Sequence, residues 1–263
     1  MKINAQQGLY TTKLQAGLGA IEETKVLLSL WEPGMNSTAL YQYVLSIGEF
    51  SNISARRLRN LITECFSPRF LNSGGYPANI LKRLMENLSY TEFTQLLLIF
   101  TCRANNILAD FIREVYWKRY LSGFDSINID DARNFVLKGI ESGKTTKPWA
   151  DSTVRRVSSY LIGSCIDFGL LDEGSRREKP IIPLRIESKV SIFLAYDLHF
   201  SGVGDNAIMN HPDWNLFGME KIDVLNEFKK NALKGFFILQ AGGSIVKIDW
   251  NHKKWEELIG AIN

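Results

Sequence analysis

From Leu18 to about residue 170, apolar residues recur at three- and four-residue spacings, and each run closes on helix punctuation. A chain patterned this way packs helix on helix, because alternating strands would bury the wrong side chains. "LGAIEETKVLLSLWEPG" gathers Ile21, Val26, Leu27, Leu30 and Trp31 on one side and stops at Pro33-Gly34. Asn36 or Ser37 is suited to cap "TALYQYVLSIG", and Ser54 to cap "ARRLRNLITECF". Pro77 fits the first turn of "ANILKRLMENL". Ser89 and Glu92 have capping-box spacing ahead of a long apolar pattern that reaches Leu121, with a break at "ANN", 104–106. Ser122-Gly123 ends that stretch.

Beyond Gly174 the period shortens to extended segments, including "PIIPLRI", and then returns to helix in "KVSIFLAYDLHF" and "KIDVLNEFKKNALKG". "FFILQAGGSIVKIDW" reads as a hairpin, with Gly242-Gly243 placed to supply two positive φ values. Val246, Ile248 and Trp250 alternate with Lys247 and Asp249, as one buried face requires. "WEELIGAI" closes as a helix. The expected organisation is mainly α, in three parts. A helical N-terminal domain spans 1–125 with a candidate helix-turn-helix at 36–66. A winged-helix-like domain spans 126–187, and helices with one β-hairpin fill 188–263.

The chemistry-bearing residues are few. His199, His211 and His252 have neither H-E-x-x-H spacing nor a Cys-x-x-Cys companion, so no zinc site is expected. There is no G-x-S-x-G and no Rossmann glycine pattern. "GKTT", 143–146, resembles the end of a P-loop, but the first glycine is misplaced and no strand precedes it. The expectation is a protein without enzymatic activity and without cofactors. Cys65, Cys102 and Cys165 stand apart within apolar helical patterns, which suits small buried hydrophobes in a reducing compartment. "MKINAQQGLYTT" lacks a signal-peptide core. "FTQLLLIFTC" has ten residues between Glu92 and Arg103, too few to cross a bilayer, so a cytoplasmic protein is expected.

A net charge of only +3 does not by itself announce a polyanion partner, so the case rests on where the cations lie. In "STVRRVSSYLIGSCIDFGLL" the residues Val154, Val157, Leu161, Cys165 and Phe168 form one stripe, opposite Arg155, Arg156 and Ser159. Ser152 is suited to cap this helix, and Gly169 or Gly174 to end it. Two arginines in a first turn oppose the helix dipole, at a cost of a few tenths of a kcal/mol. A recognition helix would place Thr153, Arg155 and Arg156 against groove and phosphate. "EGSRREKPIIPLRI" has the position of a wing, with Arg176, Arg177 and Lys179 at its tip. The loop lysines Lys144 and Lys147 add to the set. Between Lys144 and Arg185 there are eight Lys/Arg against five acids. An ordinary solvated helix followed by a polar loop is the competing reading.

A second basic element opens at Ser54, where Arg56, Arg57 and Arg59 flank the stripe Leu58, Leu61, Ile62 and Cys65, with Arg69 beyond. From Ser54 to Arg83 six Lys/Arg face one acid, Glu64. Either this is a second helix-turn-helix, or its arginines bind carboxylates such as Glu22 or Glu23.

The run from Tyr10 to Asn72 resembles the opening of BrxA proteins, components of BREX anti-phage defence systems. The matching features are Leu18, Glu22, Leu30-Trp31, Gly34, Ser54-Arg56-Arg59 and Arg69-Phe70. Thr153 to Arg156 followed by "FGLL", and "ILQAGGSIVKIDW" before "WEEL", are similar too, whereas 70–125 adds little. The resemblance implies a mostly helical, cytoplasmic, non-enzymatic protein that binds double-stranded DNA through helix-turn-helix elements, largely without sequence preference. It implies other BREX components as partners and no membrane. A likeness between this family and NusB-type proteins leaves RNA open as a ligand, and a protein-interaction scaffold is the further alternative.

Overall fold

A computed structural model of the chain describes residues 9–175, 177–242 and 245–262. The fold is mainly α; among the described residues, strand is confined to two antiparallel pairs. The chain divides into two units, one made of Met1–Met85 with Leu97–Pro183, the other of Glu86–Leu96 with Leu184–Asn263. Residue 125, where the composition shifts, lies inside the first unit.

In the first unit, helices α1 (Ile21–Leu30), α2 (Ser37–Ile47) and α3 (Ala55–Asn60) begin where the sequence punctuates them. Asn36 Oδ1 accepts from the Ala39 N–H at 2.9 Å, and Ser54 Oγ from the Arg57 N–H at 3.2 Å. From α3 the backbone continues through a π-helical turn, Leu61–Phe66, into α4 (Ser67–Phe70). Helix α5 (Tyr76–Leu84) starts at Gly75, whose φ is +80°. A Cβ there would also lie 2.7 Å from the ring of the buried Trp31, so two independent constraints select glycine. Lys82 closes the end of α1 by donating to the Trp31 and Ser29 carbonyls at 2.7 and 3.1 Å.

Helix α6 (Tyr90–Ala104) begins in the second unit and ends in the first, stopping at the expected break before α7 (Asn106–Phe111). A second π-helical turn, Ile112–Tyr116, joins α7 to α8 (Trp117–Leu121). The helix expected from about residue 130 is α9 (Ile129–Glu141), capped by a reciprocal box. Asn128 Oδ1 accepts from Asp130 and Asp131, and Asp131 Oδ2 accepts from the Asn128 N–H at 2.9 Å. Helix α10 (Asp151–Asp167) packs on α9 and buries all of Val154, Val157, Leu161 and Cys165. Its start differs from expectation: Ala150 is the N-cap residue and Ser152 lies inside the first turn, making no cap. Asp151 takes up the dipole instead, as the first residue of the helix.

After Gly169 (φ +72°) the chain turns into a hairpin. The Asp172 N–H donates to Pro180 O and the Ser175 N–H to Glu178 O. Strand β2 (Glu178–Pro180) then pairs antiparallel with β1 (Ser126–Asn128), Ile127 opposite Lys179. Gly174 holds the hairpin tip with φ +47°, and a Cβ on it would meet Pro180 Cδ at 2.3 Å. The first unit therefore carries strand, helix, helix and hairpin in succession, the hairpin returning to the first strand.

The second unit is built on α11 (Ser188–Phe200), whose residues Val190 to Leu198 are all buried. Buried on every side over that span, with Ser191 and Asp197 enclosed among the apolar residues, it is a core helix. Around it stand α12 (Asp205–Ile208), α13 (Lys221–Leu233), strands β3 (Phe237–Gly242) and β4 (Ile245–Trp250), and α14 (Trp255–Ile262). The hairpin buries Val246, Ile248 and Trp250, but its register corrects the expected turn. Gly242 pairs with Ile245 as a strand residue, and Gly243 lies outside the described residues. Asp205 Oδ2 and Asn206 Oδ1 accept the Ile248 and Val246 N–H groups at 2.9 Å each, which satisfies an otherwise bare strand edge.

All three cysteines are buried free thiols, and burial pushes the Cys65 thiol up, consistent with inert packing. Among the described residues no helix is long and apolar enough to cross a membrane.

Candidate nucleic-acid interface

The residues expected to meet nucleic acid fall into three groups. The first is exposed and projects from helix starts. Arg56, Arg57 and Arg59 are exposed on α3, and among the described residues none forms an ion pair, including with Glu22 or Glu23. The carboxylate-bound alternative for this element is thereby removed. On α10, Arg155 and Arg156 are exposed and Thr153 is half-buried. Arg155 pairs with Asp151 at 3.2 Å, and Asp151 is also held by Arg133 at 2.8 Å. Exposed pairs of this kind contribute about 0–1 kcal/mol, so Arg155 exchanges partners readily. Arg156 makes no hydrogen bond or ion pair through its side chain among the described residues. Lys147 and Arg177 are exposed as well.

The second group is occupied internally. Arg69 is only 2% exposed and donates to Gly19 O at 3.4 Å. Burial drives its pKa downward against the opposing field of Cys65, Cys102 and Asp167. A buried guanidinium offers nothing to a phosphate, so Arg69 leaves the contact set. Lys144 Nζ donates to Asp110 Oδ2 at 2.8 Å, to Tyr10 Oη at 3.0 Å and to Glu114 Oε1 at 3.3 Å. Burial opposes its charge, yet the bonds to Asp110 and Tyr10 hold its pKa above the usual lysine range. Tyr10 in turn donates to Asp110 at 2.8 Å, and its backbone N–H donates to Lys144 O at 2.6 Å. Gly139 lets the tyrosine ring approach, since a Cβ there would stand 2.6 Å from it. Lys144 is thus the peg that fastens the N-terminal segment to the end of α9. Lys179 Nζ donates to the Glu173 carbonyl, bracing the hairpin. The third group is Arg176, which lies outside the described residues.

Between the segment from Leu9 to Gln15 and the start of α10 lies a groove of about 630 Å³. Lys147, Trp149, Thr153, Arg156 and Tyr160 line it together with Tyr10, Thr11, Thr12 and Gln15, and among the described residues no carboxylate does. A second groove of about 380 Å³ is lined by Lys13, Gln15, Arg57, Asn60, Glu64 and Tyr160. Gln15 and Tyr160 border both, so Arg57 of α3 and Arg156 of α10, 99 positions apart in sequence (156 − 57), line grooves that share a border. Sequence reasoning found both arginine clusters but not their shared border. The 3₁₀ turn Lys13–Ala16 that supplies Gln15 is too short to leave a periodic signal. Lys13, Trp149 and Tyr160 were likewise missed. Their one available signal was an aromatic on each side of a basic helix start.

Comparisons with known proteins bear on the fold and the family. No curated protein matches the chain. A solved structure, the crystal structure of an uncharacterized protein from Magnetospirillum magneticum, is similar with a TM-score of 0.56 and 17% identity. It covers 73% of this chain and 94% of its own, and it shows the fold alone. The model of the BrxA family matches residues 8–197. That span includes both arginine elements, the groove and the hairpin, and the chain belongs to the BrxA family, a membership that points to a component of a BREX phage-defence system.

Proposed function

We propose that this chain is a non-enzymatic accessory component of a BREX-type system that binds double-stranded DNA, largely without regard to sequence. The carrying observation is that two arginine-bearing helix starts distant in sequence, at Arg57 and Arg156, line two grooves that share Gln15 and Tyr160, with Glu64 as a carboxylate in the smaller one. In this reading β1, α9, α10 and the hairpin form a winged helix-turn-helix. Helix α10 enters the groove with Thr153, Arg155 and Arg156, and the hairpin reaches a flanking phosphate with Arg177. Arg56, Arg57 and Arg59 hold the backbone beside it, and Lys147 joins them. The strand–helix–helix–hairpin succession, with β2 returned onto β1, supports that assignment. Contacts of this kind are mostly to phosphate, which positions the protein without reading bases. The long loop 142–150 between α9 and α10 departs from the tight three- to four-residue turn of the motif.

The test is anisotropy of a labelled duplex with unlabelled single-stranded DNA and double-stranded RNA as competitors. Reversing both charges, Arg155→Glu with Arg156→Glu, is expected to weaken duplex binding by about 100-fold or more, each lost charge-assisted contact being worth about 1.5–3 kcal/mol. Unchanged affinity would remove α10 from the interface. Preferential competition by duplex RNA would reassign the ligand.

A second reading, protein docking within the defence complex, is favoured by large aliphatics left in solvent on the second unit. Leu233 is 90% exposed, and Ile238 and Ile245 are exposed on the outer face of the hairpin. Co-purification with other defence components that survives high salt and nuclease would support it.

A further inference from the structure

The larger groove contains more than a duplex-reading helix requires. Trp149 and Tyr160 stand half-exposed at its wall, and neither ring is packed against another among the described residues. Other aromatics of the first unit are paired in its core, among them Tyr10 against Phe135 at 5.9 Å and Phe111 against Phe135 at 5.4 Å. Two unpaired rings sit beside two cations, Arg156 and Lys147, neither of which has an ion-pair partner among the described residues. A duplex presents stacked bases whose faces are hidden, so flat aromatic walls gain nothing from it. An unpaired base exposes both faces and brings a phosphate on each side. The volume, about 630 Å³, is that of a small-ligand cleft, large enough for a nucleotide.

We infer that this groove binds an unpaired nucleotide of a DNA strand, its base against Trp149 or Tyr160 and its phosphates at Arg156 and Lys147. The strand continues past Gln15 and Tyr160 into the smaller groove, where Lys13 and Arg57 take the next phosphates. The protein's preferred ligand is then a duplex with a single-stranded extension. This rests on the DNA-binding reading above and specifies the form of DNA.

The experiment compares a blunt duplex, the same duplex carrying an oligothymidine tail, and free oligothymidine, each labelled and titrated with the full chain. The tailed duplex is expected to bind roughly tenfold tighter than the blunt one, as one stacked base warrants. Trp149→Ala with Tyr160→Ala is expected to reduce the tailed affinity to the blunt value, and Trp149→Phe with native Tyr160 to retain the preference. Circular dichroism melting verifies that each variant is folded. If the tail adds nothing while the blunt duplex binds, the groove inference is overturned and the duplex reading stands. A preference for the tail that survives the double alanine variant also overturns it, because the strand is then held elsewhere. Binding of none of the three probes overturns both.

Discussion

At the scale of single residues, polar groups in this protein divide between those released to solvent and those committed to the fold. Residue type alone does not draw that line. Arg69 and Arg57 both look like surface cations in "SARRLRNLITECFSPRF", yet one is buried against Gly19 and the other is exposed at a groove. The difference follows from helical position: Arg69 lies four residues beyond the buried Cys65, whereas Arg57 lies off the buried stripe. The spacing of Leu58, Leu61, Ile62 and Cys65 therefore does place Arg69 on the buried side, and its charge alone makes it look like a surface residue. His199 shows the same commitment in the second unit. Its ring stacks on Trp250 at 4.2 Å and 13°, and burial lowers its pKa below 6.5 although Asp205 acts in the opposite sense. A base whose folded pKa is depressed contributes stability that is complete above the unfolded value and is lost as pH falls through the folded one. The thermal midpoint is expected to fall between about pH 7.5 and about pH 5.5, where histidines titrate ahead of carboxylates. His199→Phe should lessen that fall while keeping the stack. An equal fall in the variant would remove His199 as its source.

At the scale of elements, helices with side-chain punctuation were legible, and pieces defined by tertiary pairing were not. Asn36, Ser54 and the Ser89/Glu92 box each start a helix where the sequence places one. Strand β1 is three residues long and has no alternation of its own; it exists because β2 pairs with it. In the second hairpin the alternation of Val246, Ile248 and Trp250 was readable, but "AGGS" allows two registers, and the sequence pattern favours the wrong one. The observed register is held from outside the hairpin, by Asp205 and Asn206 accepting the Ile248 and Val246 N–H groups. Asp205 also accepts from Trp250 Nε1 at 3.4 Å. Asp205→Ala leaves the buried Ile248 N–H without its acceptor and is expected to cost about 1–3 kcal/mol in chemical denaturation. Gln240→Ala, on the exposed face of β3, should stay within about 0.5 kcal/mol. Equal effects from the two would mean that the edge bonds contribute nothing to the hairpin.

At the scale of the whole molecule, net charge and local charge give opposite impressions, and a salt titration separates them. With a net charge of +3 the total field is too weak to concentrate DNA around the protein, so binding depends on where the exposed cations stand. Arg56, Arg57 and Arg59 from α3, Arg155 and Arg156 from α10, Lys147 from the loop before it and Arg177 from the hairpin are the exposed members of the proposed contact set. If they neutralise about six phosphates, log K should fall against log salt with a slope near −5. Were α10 alone in contact, the slope would be about −2 on the same rule. Arg57→Ala should flatten the slope by about 1 and weaken binding to every duplex alike, as removal of a phosphate contact does. Its distance in sequence from α10 makes this substitution the decisive one. A flattened slope requires the N-terminal and central arginines to touch the same DNA at once. An unchanged slope would confine the interface to α10 and its hairpin, leaving the shared border at Gln15 and Tyr160 a feature of packing.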